Sequence, residues 1–307
     1  MAFLPAPGEI PLHTVVNVAS VPQRSPFRYP GGKTWLIPYV RLWLGSLQRA
    51  PEILVEPFGG GGIVALTAAA EGLAHKVIIA EIDEDVASVW QTMLGKDADW
   101  LMGEIIDLEL SDKTVEAIFD QRTKSTRARA LAAIVTNRIN RGGIMAPGAG
   151  RVKNGENGKG LTSRWYPETL CRRIRDIAAM NERIEFVAGD GLHVLERTAH
   201  HSDAAFFVDP PYTVAGRRLY RHNEIDHVRL FDLAAALEGN LLMTYDDSKQ
   251  IVHLAMERDL AVHWIPMKTT HHCQKMELLI GRDLTWLNQS APAAEHVPEC
   301  AARMSAG

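Results

Sequence analysis

The chain has 307 residues, with 33 Lys and Arg against 37 Asp and Glu, a formal charge of −4. A chain of this length fits one large domain or two modest ones, buries about three quarters of its unfolded surface and needs no disulfide or metal staple. Its ordinary globular composition excludes wholesale disorder, collagen-like repeats and a coiled coil. The three cysteines, at 171, 273 and 300, form no CxxC pair and no framework, which makes a reducing cytoplasm the expected location. No apolar run reaches the roughly 18 residues that cross a bilayer, so no membrane partner is expected. The first residues have no basic stretch leading into an apolar one, so they do not read as a signal peptide. Taken whole, the acidic balance speaks against a nucleic-acid binder.

Residues 1–24 carry scattered Pro, Gly and Ser without a period and read as an arm. From Ile53 the pattern alternates between strand and helix. Strand 53–55 leads through the Gly59–Gly62 turn into helix 63–71, and strand 76–80 into a helix near 84–94. Strands 183–187, 204–208 and 240–245 follow, each with a helical stretch behind it. Segments 261–267 and 275–280 read as a closing strand pair, and residues 288–307 as a flexible tail. Short apolar strands alternating with amphipathic helices predict an α/β fold around a mostly parallel sheet. That fold would comprise residues 25–120 and 184–287.

Residues 121–183 differ from the rest. They hold fourteen Lys and Arg against four Asp and Glu, about +10, which leaves −14 for the remainder. The Gly-rich stretch 141–165 is long for a loop in a compact domain, a feature of functional or disordered segments. A solvated, mobile insert explains it as well as a functional one does. A basic lobe inserted in an acidic core is a plausible electrostatic footprint for phosphate backbones.

Glu56-Pro57-Phe58-Gly59-Gly60-Gly61-Gly62 follows a strand and opens a helix, where glycines allow a tight turn and close approach of a ligand. Val64 stands where a GxGxxG fingerprint needs its third glycine, which disfavours a dinucleotide and leaves a nucleoside as the better fit. Glu81 ends the next strand and can accept both hydroxyls of a ribose, while Asp83 suits the N-cap of the following helix. Gly31-Gly32-Lys33-Thr34 lacks the first glycine of a phosphate loop, since Phe27 stands there, and no strand precedes it.

Asp209-Pro210-Pro211-Tyr212 follows the strand AAFFV, at the carboxyl end where open α/β sheets bind ligands. The chemistry that fits is activation of an aromatic amine, whose lone pair is delocalised into its ring. The Asp209 carboxylate and the Pro210 carbonyl can each accept one N–H bond and pull the nitrogen toward tetrahedral geometry. Tyr212 can stack on the base. A plain Pro-rich turn is the bland alternative.

Four of these segments, in this order, resemble the D12 class (Dam-like) of N6-adenine-specific DNA methyltransferases. They are Tyr29-Pro30-Gly31-Gly32-Lys33, Glu56-Pro57-Phe58-Gly59-Gly60-Gly61, Glu81, and Asp209-Pro210-Pro211-Tyr212. The resemblance spans roughly residues 25–282. It implies a Rossmann-like S-adenosylmethionine-dependent methyltransferase sheet with an inserted, mainly helical and loop target-recognition lobe at 121–183. It also implies S-adenosylmethionine as cofactor and double-stranded DNA as partner. The matched positions imply that Tyr29, Lys33, Phe58, Gly59, Gly61, Glu81, Asp190 and Asp209 bind the cofactor, and that Asp209, Pro210 and Tyr212 are catalytic. Glu81 stands where the family usually has Asp.

The insert departs from the family's N-R-x-x-x-N-G, because Asn137 to Gly143 lacks the second Asn, so base-reading residues and target sequence do not carry over. Arg138, Arg141, Arg151, Lys153, Arg217 and Arg218 are the expected DNA contacts. His271-His272-Cys273 has no matched ligand pair at standard spacing and reads as a strand-edge cluster, so no metal is expected. The rival readings are an amino-methyltransferase acting on cytosine N4 or an RNA base, a catalytically silent DNA-binding relative, and an ATPase built on Lys33. The sequence leaves open the oligomeric state and whether a restriction endonuclease is encoded nearby.

Overall fold

The computed structural model of the protein describes Val18 and residues 21–28, 31–155, 158–211, 225–268 and 274–290. Seven strands form one sheet: β1 (Ile53–Glu56), β2 (Lys76–Glu81), β3 (Ile184–Ala188), β4 (Ala204–Val208), β5 (Asn240–Asp246), β6 (Ala261–Lys268) and β7 (Gln274–Gly281). Their order is β3-β2-β1-β4-β5-β7-β6. The first five neighbours run parallel, and β7 lies antiparallel between β5 and β6. The order reverses between β1 and β4, which opens a crevice outside the carboxyl ends of those strands.

Three helices follow from local signals. Helix α1 (Ile37–Ser46) has a proline in its first turn, where a missing N–H costs nothing. Helix α2 (Ile63–Glu71) lies between Gly62 (φ 63°) and Gly72 (φ 67°), both left-handed, a conformation that L side chains avoid. Helix α3 (Glu84–Leu94) starts at Asp83, whose carboxylate accepts the Asp85 and Val86 amides. The N-cap expected of Asp83 is present.

The helices α4 (Ala98–Asp107), α5 (Asp112–Gln121), α6 (Thr126–Ile139) and α7 (Pro167–Ala178) come between α3 and β3. Helix α6 packs along α3, and α7 packs on α4. Ala130, Ile134, Val135 and Ile139 of α6 are buried in the same core as α1, α2 and α3. These helices share their core with one face of the sheet. The other face of the sheet is covered by α8 (Gly191–Thr198), α9 (His227–Ala236) and α10 (Lys249–Met256) over a second core containing Phe206, Phe231 and Tyr245. Apolar burial of this kind contributes about 25 cal/mol per Å². Among the described residues, no helix is long and apolar enough to cross a membrane.

Candidate active site

The carboxyl ends of the parallel strands carry acids: Glu56 ends β1, Glu81 ends β2, Asp190 follows β3 and Asp209 follows β4. All four line one cleft of about 960 Å³ between the sheet and the lobe. The β1–α2 turn forms its floor. Its glycines are required at two points. A Cβ on Gly59 would lie 2.3 Å from the Ile79 side chain, and one on Gly62 would lie 2.6 Å from the Trp90 ring. Gly59 donates to the Ala80 carbonyl at 2.8 Å, and Trp90 Nε1 donates to the Gly60 carbonyl at 2.9 Å. Packing against β2 and α3 therefore fixes the turn, while Phe58 and Gly61 line the cleft beside it.

Glu81 is buried, and both its oxygens are engaged. Oε2 accepts the Gly60 amide at 2.9 Å and Oε1 accepts the Asp83 amide at 2.8 Å. Burial pushes this carboxyl up to about 7, and the neighbouring Asp83 charge adds to the rise, against the pull of the backbone amides. Glu56 accepts the Ala65 amide at 2.7 Å. Burial, with the Asp209 charge as a smaller contribution, pushes Glu56 up to about 8, so it is protonated at neutral pH. Asp190 caps α8 through the Leu192 amide at 2.9 Å.

Asp209 is held on one oxygen. Its Oδ1 lies 2.7 Å from Lys33 Nζ and accepts the Thr244 hydroxyl at 2.8 Å. Lys33 also lies 3.2 Å from Glu277 Oε1 and donates to the Gly31 carbonyl at 3.2 Å. Lys33 lines the cleft, but its ammonium is committed to the Asp209 carboxylate and to Glu277. Thr244 and Glu277 were not singled out from sequence. The available signal was a polar residue inside each apolar strand, Thr244 in NLLMTY and Glu277 in KMELLI, since such residues are buried only with partners.

Pro210 and Pro211 line the cleft beside Asp209. Tyr29, Tyr212, Arg217 and Arg218, and the His271–Cys273 cluster, lie outside the described residues.

The lobe side of the cleft is basic, with Arg28, Arg138, Arg164 and Arg173 in its wall. Arg138, one of the expected DNA contacts, is 5% exposed. Its guanidinium donates to the Pro26 carbonyl, and Arg173 donates to the Ser25 carbonyl at 2.8 Å. Burial first, and the Arg173 charge second, pull Arg138 down to about 10. Both arginines tether the segment leading to Lys33. Asn137 holds the same segment through the Arg28 amide at 2.9 Å and carbonyl at 3.1 Å. Arg141, Arg151 and Lys153 are exposed and lie outside the cleft lining. The Arg151 guanidinium sits 5.7 Å from the Phe119 ring centroid and 3.8 Å from Asp112.

A family model described as D12 class N6 adenine-specific DNA methyltransferase matches residues 29–272. No curated protein matches the chain. Solved structures similar to it include a putative RNA methyltransferase, PH1948, from Pyrococcus horikoshii, with 10% identity and TM-score 0.38 over 83% of this chain and 84% of that one. The rRNA methyltransferase aviRa from Streptomyces viridochromogenes aligns at 12% identity and TM-score 0.38, over 86% and 90%. TrmN from Thermus thermophilus aligns at 12% identity and TM-score 0.37, over 80% of this chain and 48% of that one.

The cleft brings the Glu81 carboxylate at the end of β2, the glycine turn beside it, Asp190 and Asp209 together, a lining that fits a nucleoside ligand such as S-adenosylmethionine. The chain belongs to the D12 class N6 adenine-specific DNA methyltransferase family and is an S-adenosylmethionine-dependent adenine methyltransferase.

Proposed function

We propose that the protein methylates N6 of an adenine that flips out of double-stranded DNA into the cleft. The observation that carries this reading is the placement of Asp209. Its carboxylate and Pro210 open onto the same cleft as Glu81, on the two sides of the β1–β4 reversal. A stacked adenine does not present N6 to a group at the bottom of such a crevice, so the base must leave the helix. Unstacking costs about a few kcal/mol, offset by hydrogen bonds in the cleft and by stacking on Tyr212.

S-adenosylmethionine, when bound, supplies an electrophilic methyl group on a sulfonium. Asp209 and the Pro210 carbonyl accept the two N–H bonds of the amine. This localises the lone pair and aims it along the line of transfer. Asp209 would then take up the amine proton that transfer releases and pass it to solvent. Most of the rate enhancement then comes from positioning and from hydrogen bonds that strengthen as the nitrogen becomes tetrahedral. Glu81 holds the ribose, with Phe58, Gly61 and Asp190 around the rest of the cofactor.

The helical lobe is the target-recognition element in this reading, and exposed Arg141, Arg151 and Lys153 meet backbone phosphates. A DNA substrate and widely spaced cysteines fit a cytoplasmic protein.

Tritiated methyl transfer to unmethylated duplex DNA and to RNA, followed by nucleoside analysis, tests the proposal. N6-methyladenine in DNA is the expected product, with little label from Asp209→Ala. Label in RNA or in cytosine overturns the acceptor, and equal incorporation by wild type and variant overturns the site.

A further inference from the structure

The cleft shows what could contact an acceptor amine, but not how Asp209 is oriented toward it. Two residues behind the cleft do this. Successive side chains on a strand alternate between faces. On β5, Leu242 packs in the core beneath α1 to α3, while Met243 and Tyr245 pack in the opposite core. Thr244 therefore points to the α1 face. On β7, Leu279 packs in that same core and Leu278 in the other, so Glu277 also points to the α1 face. The register pairs Thr244 with Leu279 and Asp246 with Glu277. This places the Thr244 hydroxyl and the Glu277 carboxylate on neighbouring strands, facing Lys33 and Asp209.

The resulting network is asymmetric. Asp209 Oδ1 takes both the Lys33 ammonium at 2.7 Å and the Thr244 hydroxyl at 2.8 Å. Lys33 is shared with Glu277 at 3.2 Å. Glu277 is 1% exposed, whereas the Asp209 side chain is 20% exposed. One cation between two carboxylates leaves the three side chains with a joint charge of −1. The carboxylate that reaches the cleft is that of Asp209. Neither Thr244 nor Glu277 lines the cleft, so either can act on the acceptor only through Asp209.

We propose that Thr244 and Glu277 are positioning residues for the methyl-transfer step. Thr244 locks Oδ1 of Asp209, and Glu277 shares the charge of Lys33, so that Oδ2 faces the acceptor amine with its negative charge available. The inference rests on the adenine reading for its kinetic consequence, but the locked carboxylate is a structural claim in its own right.

The test compares Thr244→Val, Thr244→Ser and Glu277→Gln with wild type in single-turnover methyl transfer at saturating S-adenosylmethionine. Losing a hydrogen bond to a charged group corresponds to about tenfold. Thr244→Val and Glu277→Gln are expected to slow transfer by about tenfold or more, with Kd for cofactor and DNA within about twofold of wild type. Thr244→Ser, which keeps the hydroxyl, is expected to restore the rate to within about threefold. Unchanged rates in Thr244→Val, or a Thr244→Ser enzyme as slow as Thr244→Val, overturn the proposal. Because removing one partner of a buried pair can unfold the protein, Thr244→Val carries the test if Glu277→Gln does not fold. If wild type transfers no methyl group to nucleic acid, the adenine reading falls, and crystal structures of wild type and Thr244→Val with S-adenosylhomocysteine decide the positioning. A carboxylate of Asp209 that turns away from its wild-type position in the variant sustains it, and an unmoved carboxylate overturns it.

Discussion

Lys33 and Asp209 form an ion pair of 2.7 Å between an N-terminal turn and the end of β4, 176 positions apart in the chain. The Lys33 side chain is 3% exposed and has a second carboxylate, Glu277, at 3.2 Å. Both residues line the cleft.

Replacing Lys33 by Met leaves two carboxylates facing each other without a cation. Removing one partner of a buried pair costs about 3–5 kcal/mol, and the partial exposure of Asp209 puts the loss at the lower end. Urea unfolding of Lys33→Met measures it. A second change, Glu277→Leu, removes the uncompensated inner charge and is expected to recover part of the loss, read as a coupling energy in a double-mutant cycle.

Glu56 gives a pH signature. Its carboxyl stands at about 8 in the folded protein against 4.5 as its ordinary value, chiefly through burial. The folded state therefore holds a proton that the unfolded state releases above about 4.5. Stability from this group is complete below that point and is lost as pH rises toward 8, by on the order of a few kcal/mol. Glu56→Gln keeps an acceptor for the Ala65 amide and has no proton to lose. Its unfolding free energy should vary less than that of wild type between pH 5 and 8, and should exceed wild type at pH 8. Parallel curves for the two proteins across that range would falsify the assignment.

Much of this architecture was legible in local sequence. Helix 63–71 and strand 204–208 have the limits expected of them, because left-handed glycines and a closed apolar run mark their ends within a few residues. The Glu56, Glu81 and Asp209 positions were legible because each lies at the carboxyl end of an apolar strand. Long-range relations were not. Thr244 meets Asp209, and Glu277 meets Lys33, only through the β5–β7 register, which no local pattern encodes. Charge marked 121–183, while the acids of α4 and α5 give those helices no such mark. Nor does a count of cations tell that α6 turns Arg138 inward onto Pro26.

Cofactor affinity should depend on pH through Glu81. Its carboxyl stands at about 7, raised first by burial. In the proposed site the ribose hydroxyls donate to the ionised form, so binding is expected to expel the proton that Glu81 carries below pH 7. Affinity for S-adenosylmethionine is expected to tighten as pH rises from 6 toward 7 and to level off above it, with a limiting slope of about tenfold per pH unit. Titration calorimetry in buffers of different ionisation enthalpy reads the released proton directly. Glu81→Gln should bind more weakly at pH 8 and lose both the slope and the proton release.

The last prediction concerns the lobe. Net charge counted over the whole chain argued against nucleic acid, but the exposed cations Arg141, Arg151 and Lys153 stand on the basic segment. Each phosphate contact adds about 0.9 to the slope of log K against log salt on duplex DNA. Lys153→Gln removes an exposed charge, so its effect on folding should be small. Its salt slope is expected to fall by about 0.9, with the same loss on any sequence. Arg151→Gln should show a similar fall, together with a small stability cost from the lost Phe119 and Asp112 contacts. Arg138→Gln should act differently, because its guanidinium holds the Pro26 carbonyl. It should lower the melting temperature and leave the salt slope unchanged. A slope that falls for Arg138→Gln and stays fixed for Lys153→Gln reverses the assignment of the DNA-facing surface.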